Sequence, residues 1–282
     1  MGRAENLAGI DLLKSLENRF LDSKCLILSG GPSLSDLDIE ELDRLPEDII
    51  VIAVKQAYYK CPGLINVHLI NDDNYEVYNY ELSNPKPLII KISSASKFRP
   101  TPNSREDIKF NILKESSNHE KSLVATRDFC SGLIDSATLE RPWGPGIMYE
   151  IGIYFPIFLG IKDIYIAGWD LGSPHSNVIK RFYEKRGIFQ SLKNICAKES
   201  PFIYNKVFNR IENLVRLFLY IFNKEIVLNI PGVTINEADL ISNSTEYLYE
   251  WVKHQGVSFF IVSDKSMVSN KFQRVKLNDI HI

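Results

Sequence analysis

Lys24-Cys25-Leu26-Ile27-Leu28-Ser29-Gly30-Gly31-Pro32-Ser33-Leu34 is the stretch that decides the fold. Cys25 to Leu28 is an unbroken apolar run that stops at Gly-Gly-Pro, which is how a buried strand ending in a tight turn reads. Ser35-Asp36-Leu37-Asp38 then offers capping residues for a short helix that ends near Leu45, since Pro46 cannot continue it. Apolar, mostly β-branched runs recur at Ile49 to Val54, Val67 to Ile70 and Leu88 to Ile90, as strands covered on both faces require.

Further along, Trp143-Gly144-Pro145-Gly146 introduces a predicted helix over Ile147 to Leu159, stopped by Gly160, and then a strand at Ile164 to Ala167 that ends in Gly168-Trp169-Asp170. A helix that returns directly into a buried strand is a crossover unit. The N-terminal segment up to Phe20 reads as a short amphipathic helix, because charges interrupt its apolar positions and leave no signal-peptide core. Lys91 to Arg141 is polar and rich in Ser, Pro and Asn, a long excursion over the active face with a weak helical stretch near Arg105 to Lys114. Beyond a basic stretch come a strand at Ile226 to Leu228, a Pro231-Gly232 turn, a helix near Thr245 to His254 and a strand at Val257 to Val262. Strands alternating with helices predict an α/β fold built on a doubly wound, mostly parallel sheet, Rossmann-like in plan. The expected division is an α/β domain over 1–177 and 224–282, with 178–223 as a helical lid.

With 282 residues, 45% of them hydrophobic, the chain is long enough to bury one large core or two small ones. A net charge of -2 gives no global attraction to nucleic acid or to an anionic membrane, so any such attraction is local. The local exception runs from Val178 to Arg216, where nine Lys/Arg stand against three Glu with Phe182, Tyr183, Phe189, Phe202, Tyr204 and Phe208 interleaved. It reads as a lid, an acceptor platform or a foot on an anionic membrane, and equally as a solvated helical face whose aromatics are core. Cys25, Cys61, Cys130 and Cys196 show no CxxC spacing, which favours a reducing compartment, and no run of 18 apolar residues spans a bilayer. A cytoplasmic protein is expected, with peripheral contact at the inner membrane left open.

Three constellations carry chemistry. Gly30, Gly31, Pro32 and Ser33 place bare amides at a helix N-terminus, where phosphate oxygens are accepted, although an ordinary glycine turn reads the same way. The spacing is neither G-x-G-x-x-G nor a Walker loop, so it indicates neither a dinucleotide nor a P-loop site. Asn71-Asp72-Asp73 and the pair Lys55-Gln56 end strands at the carboxyl edge, where open α/β sheets bind ligands, and equally suit solvated turns. Asp170 and His175, five residues apart on one loop, suit general acid/base work, phosphate orientation or part of a metal site. They do not complete a Ser-His-Asp triad, and no H-E-x-x-H or Cys/His cluster is present.

Together these landmarks resemble the sialyltransferases of glycosyltransferase family 42, which transfer sialic acid from its CMP donor without a metal. The resemblance is carried by the strand and turn at Gly30 to Leu34, by Val54-Lys55-Gln56-Ala57-Tyr58-Tyr59, by Val67 to Asn71, by Gly146 through Asp170 and by Ile226 to Asn236. It implies a GT-A-variant sheet and a CMP-sugar donor, Kdo or sialic acid in type, as the one small-molecule partner. It also implies no cofactor, no metal and a bacterial surface glycan or glycolipid as acceptor. The donor would meet Gly30, Gly31, Pro32, Ser33, Gln56, Asn71, Gly144, Pro145 and Gly146, with Pro231 and Gly232 beside the cytidine. Three positions depart from the family pattern: Lys55 replaces an asparagine, Gly172 a tyrosine, and Val207 to Arg210 lacks the family's histidine. Asp170 and His175 are therefore the catalytic candidates. A second resemblance, in Gly168-Trp169-Asp170-Leu171 followed by His175, is to the MptE-like proteins; it implies a Mg²⁺- and ATP-dependent diphosphotransferase with Asn71, Asp72, Asp73 and Asp170 as ligands. A non-catalytic nucleotide-binding module is the third reading.

Overall fold

The computed structural model describes residues 2–71, 78–93, 107–113, 132–142, 144, 146–170, 227–230, 233–264, 266 and 268–281. Helix α1 spans Gly2–Leu16, and strand β1 follows at Lys24–Leu28. The 3₁₀ turn Pro32–Asp36 and α2 (Ile39–Asp43) lead to β2 (Ile50–Val54), the 3₁₀ turn Lys55–Lys60 and β3 (Val67–Asn71). Then come β4 (Leu88–Ser93), β5 (Ile108–Leu113) and β6 (Glu140–Pro142). A π-helical turn, Met148–Gly152, runs into α3 (Tyr154–Phe158) and on to β7 (Asp163–Ala167). After β8 (Val227–Ile230) and β9 (Val233–Asn236), helix α4 (Glu237–His254), β10 (Ser258–Ile261), β11 (Gln273–Arg274) and the 3₁₀ turn Leu277–His281 complete the order.

Nine strands form one sheet in the order β11-β10-β7-β1-β2-β3-β4-β5-β6. Every neighbouring pair is parallel. The α/β fold and its parallel sheet thus follow the expectation. Because β-strand side chains alternate between faces, each apolar run feeds two cores. Cys25, Ile27, Ile52, Val54, Leu69 and Ile90 face a core closed by Leu13 of α1, by Ile151 to Phe158 and by Leu248 and Val252 of α4. Leu26, Leu28, Val51, Ala53, Ile70 and Tyr165 face a second core, closed by Leu34, Leu42, Ala57, Tyr58, Leu277 and Ile280. Long helices cover one face and short turns the other.

Three local expectations are corrected. The stretch near Arg105 to Lys114 is strand β5, not helix: Ile108, Phe110 and Ile112 are buried while Lys109 and Asn111 alternate with them, a period of two that the charges around them mask. Lys91 to Arg141 is correspondingly more than a polar excursion, since it ends in β6 with Arg141 fully buried. The strand near Ile226 lies outside the main sheet: β8 pairs antiparallel with β9, Leu228 opposite Ile235, as a separate two-stranded sheet. The short helix expected before Pro46 is present as α2, whose N-cap Asp38 accepts from the Glu40 amide at 3.0 Å, and a 3₁₀ turn precedes it. Gly160 does stop the preceding helix, at φ 90. The amides of Asn18 and Phe20 donate to its last carbonyls, those of Phe158 (3.0 Å) and Leu159 (2.9 Å). Residues 178–223, the expected lid, lie outside the described residues. No helix among the described residues is long and apolar enough to cross a membrane.

Candidate functional site

The chain builds β1 to β6 outward in one direction and then returns to place β7 on the other side of β1. That reversal is a topological switch point, and the crevice outside its carboxyl ends is where open parallel sheets hold ligands. Here the crevice is bounded by the turn after Leu28 and by Gly168-Trp169-Asp170 after Ala167.

The two loops touch. The Ser29 amide donates to the Ala167 carbonyl at 2.8 Å and the Gly31 amide to the Gly168 carbonyl at 2.7 Å. Asp170 accepts from Ser33 twice, through Oδ2 from the amide (2.5 Å) and through Oδ1 from the hydroxyl (2.5 Å). The Pro32–Asp36 turn has no cap from its own preceding residue, so a carboxylate 137 positions away supplies it. The glycines follow from the same apposition. A Cβ on Gly31 would collide with the Gly168 carbonyl and lie 2.7 Å from Asp170 Oδ2, and one on Gly168, at φ 71, would strike the Ser29 carbonyl. Close approach of the two strand ends therefore accounts for glycine at 31 and 168, and the Ser33 amide read as a phosphate donor is taken by a protein carboxylate. Trp169 is buried, edge-on to Tyr149 at 5.8 Å, and its carbonyl accepts from the Ser266 hydroxyl at 2.6 Å.

Beside the crevice, the ends of β2 and β3 are built differently. Lys55, half-buried, has φ 51, a left-handed conformation that costs an L-residue about 1–2 kcal/mol. Its carbonyl accepts from Nε2 of His68 at 2.9 Å. Since a carbonyl only accepts, Nε2 carries the hydrogen, and Nδ1 accepts from the Tyr80 hydroxyl at 2.8 Å. His68 is fully buried, stacked on Tyr58 at 4.9 Å with Tyr78 edge-on at 4.4 Å. Burial pushes its pKa down to about 4, which keeps the ring neutral. The 3₁₀ turn carrying Gln56 packs against the one carrying Ser33. Asn71 ends β3, and its buried Oδ1 finds no hydrogen-bond partner among the described residues.

Gly144 packs so closely on Tyr149 that a Cβ would sit 2.7 Å from the tyrosine Cβ, whereas Gly146 needs glycine only for φ 82. The Gly146 carbonyl accepts from the Tyr149 (3.0 Å) and Glu150 (3.1 Å) amides and starts the π turn. Under that turn Arg141 donates through Nε to the Glu150 carbonyl (2.9 Å) and through Nη1 to those of Gly132 (2.7 Å) and Leu133 (2.8 Å), with its guanidinium 4.4 Å from the Tyr154 ring centre. Burial lowers its pKa to about 10.

Of the residues singled out from sequence, Gly31, Ser33 and Asp170 are brought together, with Gly30 and Pro32 in the same turn; Gln56 lies in the turn after the neighbouring β2, and Asn71 stands two strands away from β1. Asp72, Asp73, Pro145, His175, Pro231 and Gly232 lie outside the described residues. Sequence reasoning passed over the Lys55–His68–Tyr80 chain, for which a histidine inside the apolar run Val67 to Ile70 was the available signal, and Arg141, which nothing marked. No family model, no curated protein and no solved structure matches the chain.

Proposed function

We propose that the protein is a glycosyltransferase that moves an acidic sugar, of the Kdo or sialic acid type, from its CMP donor to a glycan acceptor. The observation that carries the reading is the switch point between β1 and β7, with Ser33 and Asp170 joined at its mouth and Gln56 and Asn71 at the ends of the next two strands on the same edge. The identity of the donor rests on the resemblance to family 42. Gln56 and Asn71 hold ribose, sugar or base, and the orphaned Asn71 Oδ1 suits a hydroxyl or amino donor from the ligand. In the transfer, the bond between the anomeric carbon and the CMP phosphate oxygen breaks, its electron pair leaves with CMP, and the acceptor oxygen forms the new bond as its proton passes to a base. Asp170, anchored on both oxygens by Ser33, fixes the start of the loop, and His175 is the proposed proton acceptor. The basic segment 178–223 serves as lid and acceptor platform. Calorimetric titration tests the reading: CMP binding that persists in EDTA is expected. Absence of CMP binding together with Mg²⁺-dependent ATP binding would replace this reading with diphosphate transfer.

A further inference from the structure

We propose that Ser266 is a positioning residue of the crevice: its hydroxyl, acting through the Trp169 carbonyl, holds Gly168-Trp169-Asp170 in the conformation that seats Asp170 on Ser33. β7 lies between β1 and β10 in the sheet. On the β1 side its exit loop is held at Gly168, whose carbonyl accepts from the Gly31 amide at 2.7 Å, and at Asp170, which accepts from Ser33. On the β10 side it is held at Trp169, whose carbonyl accepts from the Ser266 hydroxyl at 2.6 Å. Three consecutive residues are thus fixed alternately from opposite sides. Gly168, at φ 71, brings no side chain to restrict the backbone, so these anchors set the direction of the loop.

Burial supplies the second line of reasoning. Among the described residues ten polar or charged side chains are buried, and five of them, Ser33, Ser244, Thr245, Ser266 and Ser269, converge on this loop. A buried hydroxyl adds little net stability, but its bond is directional, and a satisfied chain of such groups specifies one arrangement. Ser266 is itself held: its oxygen accepts from the Val268 amide at 3.3 Å, and Arg274 gathers the Ser266 (3.3 Å), Val268 (2.6 Å) and Phe272 (3.1 Å) carbonyls. The Ser269 amide donates to the Thr245 hydroxyl at 3.0 Å, tying the same segment to α4. The neighbouring Ser244 donates to the Tyr149 hydroxyl at 2.7 Å, and Tyr149 lies edge-on to Trp169. Helix α4 therefore brackets Trp169 by two routes, its ring through Tyr149 and its carbonyl through Ser266. The assignment rests on the reading above only in taking the crevice between β1 and β7 as the ligand site.

The test compares Ser266→Thr with Ser266→Val in the full chain. Both add one methyl group to a buried site and share a shape, so they differ in the hydroxyl alone. Amide hydrogen exchange without ligand, calorimetric titration with CMP and thermal unfolding are read for each. In Ser266→Val the Ser33 amide is expected to exchange at least tenfold faster than in Ser266→Thr, relative to the core amides of Ile27 and Ile52, and CMP to bind at least fivefold more weakly. Ser266→Ala, which adds no atoms, is read against the wild type in the same way if the larger side chains prevent folding. Ser33 exchange that rises only in proportion to that of Ile27 and Ile52 would show a general loss of stability and overturns the assignment, as does equal CMP affinity with and without the hydroxyl. If the wild type does not bind CMP, the CMP-sugar reading falls, and selective exchange at Ser33 still upholds Ser266.

Discussion

Two neighbouring strand ends on one sheet edge solve opposite problems. After β1, Gly30-Gly31 looks made for a ligand, yet Gly31 and Gly168 are glycine because the β1 and β7 loops press against each other, and Asp170 has taken the open amide. After β2 there is no glycine at all, and the backbone nevertheless adopts the conformation that glycine favours, held by a buried histidine. A glycine-rich turn can thus report protein packing, and a left-handed backbone can be held without glycine by a buried hydrogen bond.

That contrast can be broken at its strongest point first. Gly168→Ala is expected to cost about 4 kcal/mol, because both φ and the Ser29 carbonyl oppose a Cβ and no rotamer relieves either. Urea unfolding measures it, and a midpoint near the wild type would show that the two loops are not in register-locked contact.

Next in size is the histidine clamp. His68 folds neutral with its pKa depressed from 6.5 to about 4, so the unfolded chain takes up the proton first and the ring's contribution to stability, intact above pH 6.5, is lost as pH falls toward 4. Relative to His68→Gln, the wild type is expected to lose about 3 kcal/mol between pH 7 and pH 4. Parallel stability curves for the two proteins would mean the ring is not buried neutral.

Asp170→Asn is smaller. It weakens the cap on Ser33 and is expected to cost about 1–2 kcal/mol by thermal or urea unfolding. The same change frees the crevice of its fixed charge, so inorganic phosphate should bind more tightly by titration. Smallest is Lys55→Gly, with a gain of about 0.5–1 kcal/mol, the relieved strain less the extra freedom of glycine in the unfolded chain. A destabilised Lys55→Gly would falsify the claim that φ 51 is costly there.

Much of the fold was legible because parallel strands are apolar on both faces and announce themselves as short β-branched runs, as β1 to β4 and β7 do. β5 was not legible because Arg105, Glu106, Asp107, Lys109 and Lys114 give it a helical polarity, while Ile108, Phe110 and Ile112 alternate over only six residues. The strand near Ile226 could be read, but its pairing with β9 apart from the main sheet could not, since pairing partners are not written in local composition. At the site, Asn71 and Asp170 were accessible as polar residues closing apolar strands. The Ser33–Asp170 bond needs β1 and β7 to be neighbours, a fact of topology that joins positions 137 residues apart. The left-handed backbone at Lys55 leaves no trace in residue type.

The central placement of β1 has a consequence for biogenesis. Its β2 side is satisfied almost at once, but its other side waits for β7, roughly 130 residues later, which at ordinary ribosomal speeds is about ten seconds. Throughout that interval the nascent chain exposes an open apolar edge, the kind of surface that mispairs between chains. Ribosome-stalled chains ending before Asp163 are expected to be degraded by added protease, and chains extended past β11 to resist it. Successful synthesis of this protein then depends on how well the unfinished sheet is shielded while its middle strand is still missing a neighbour.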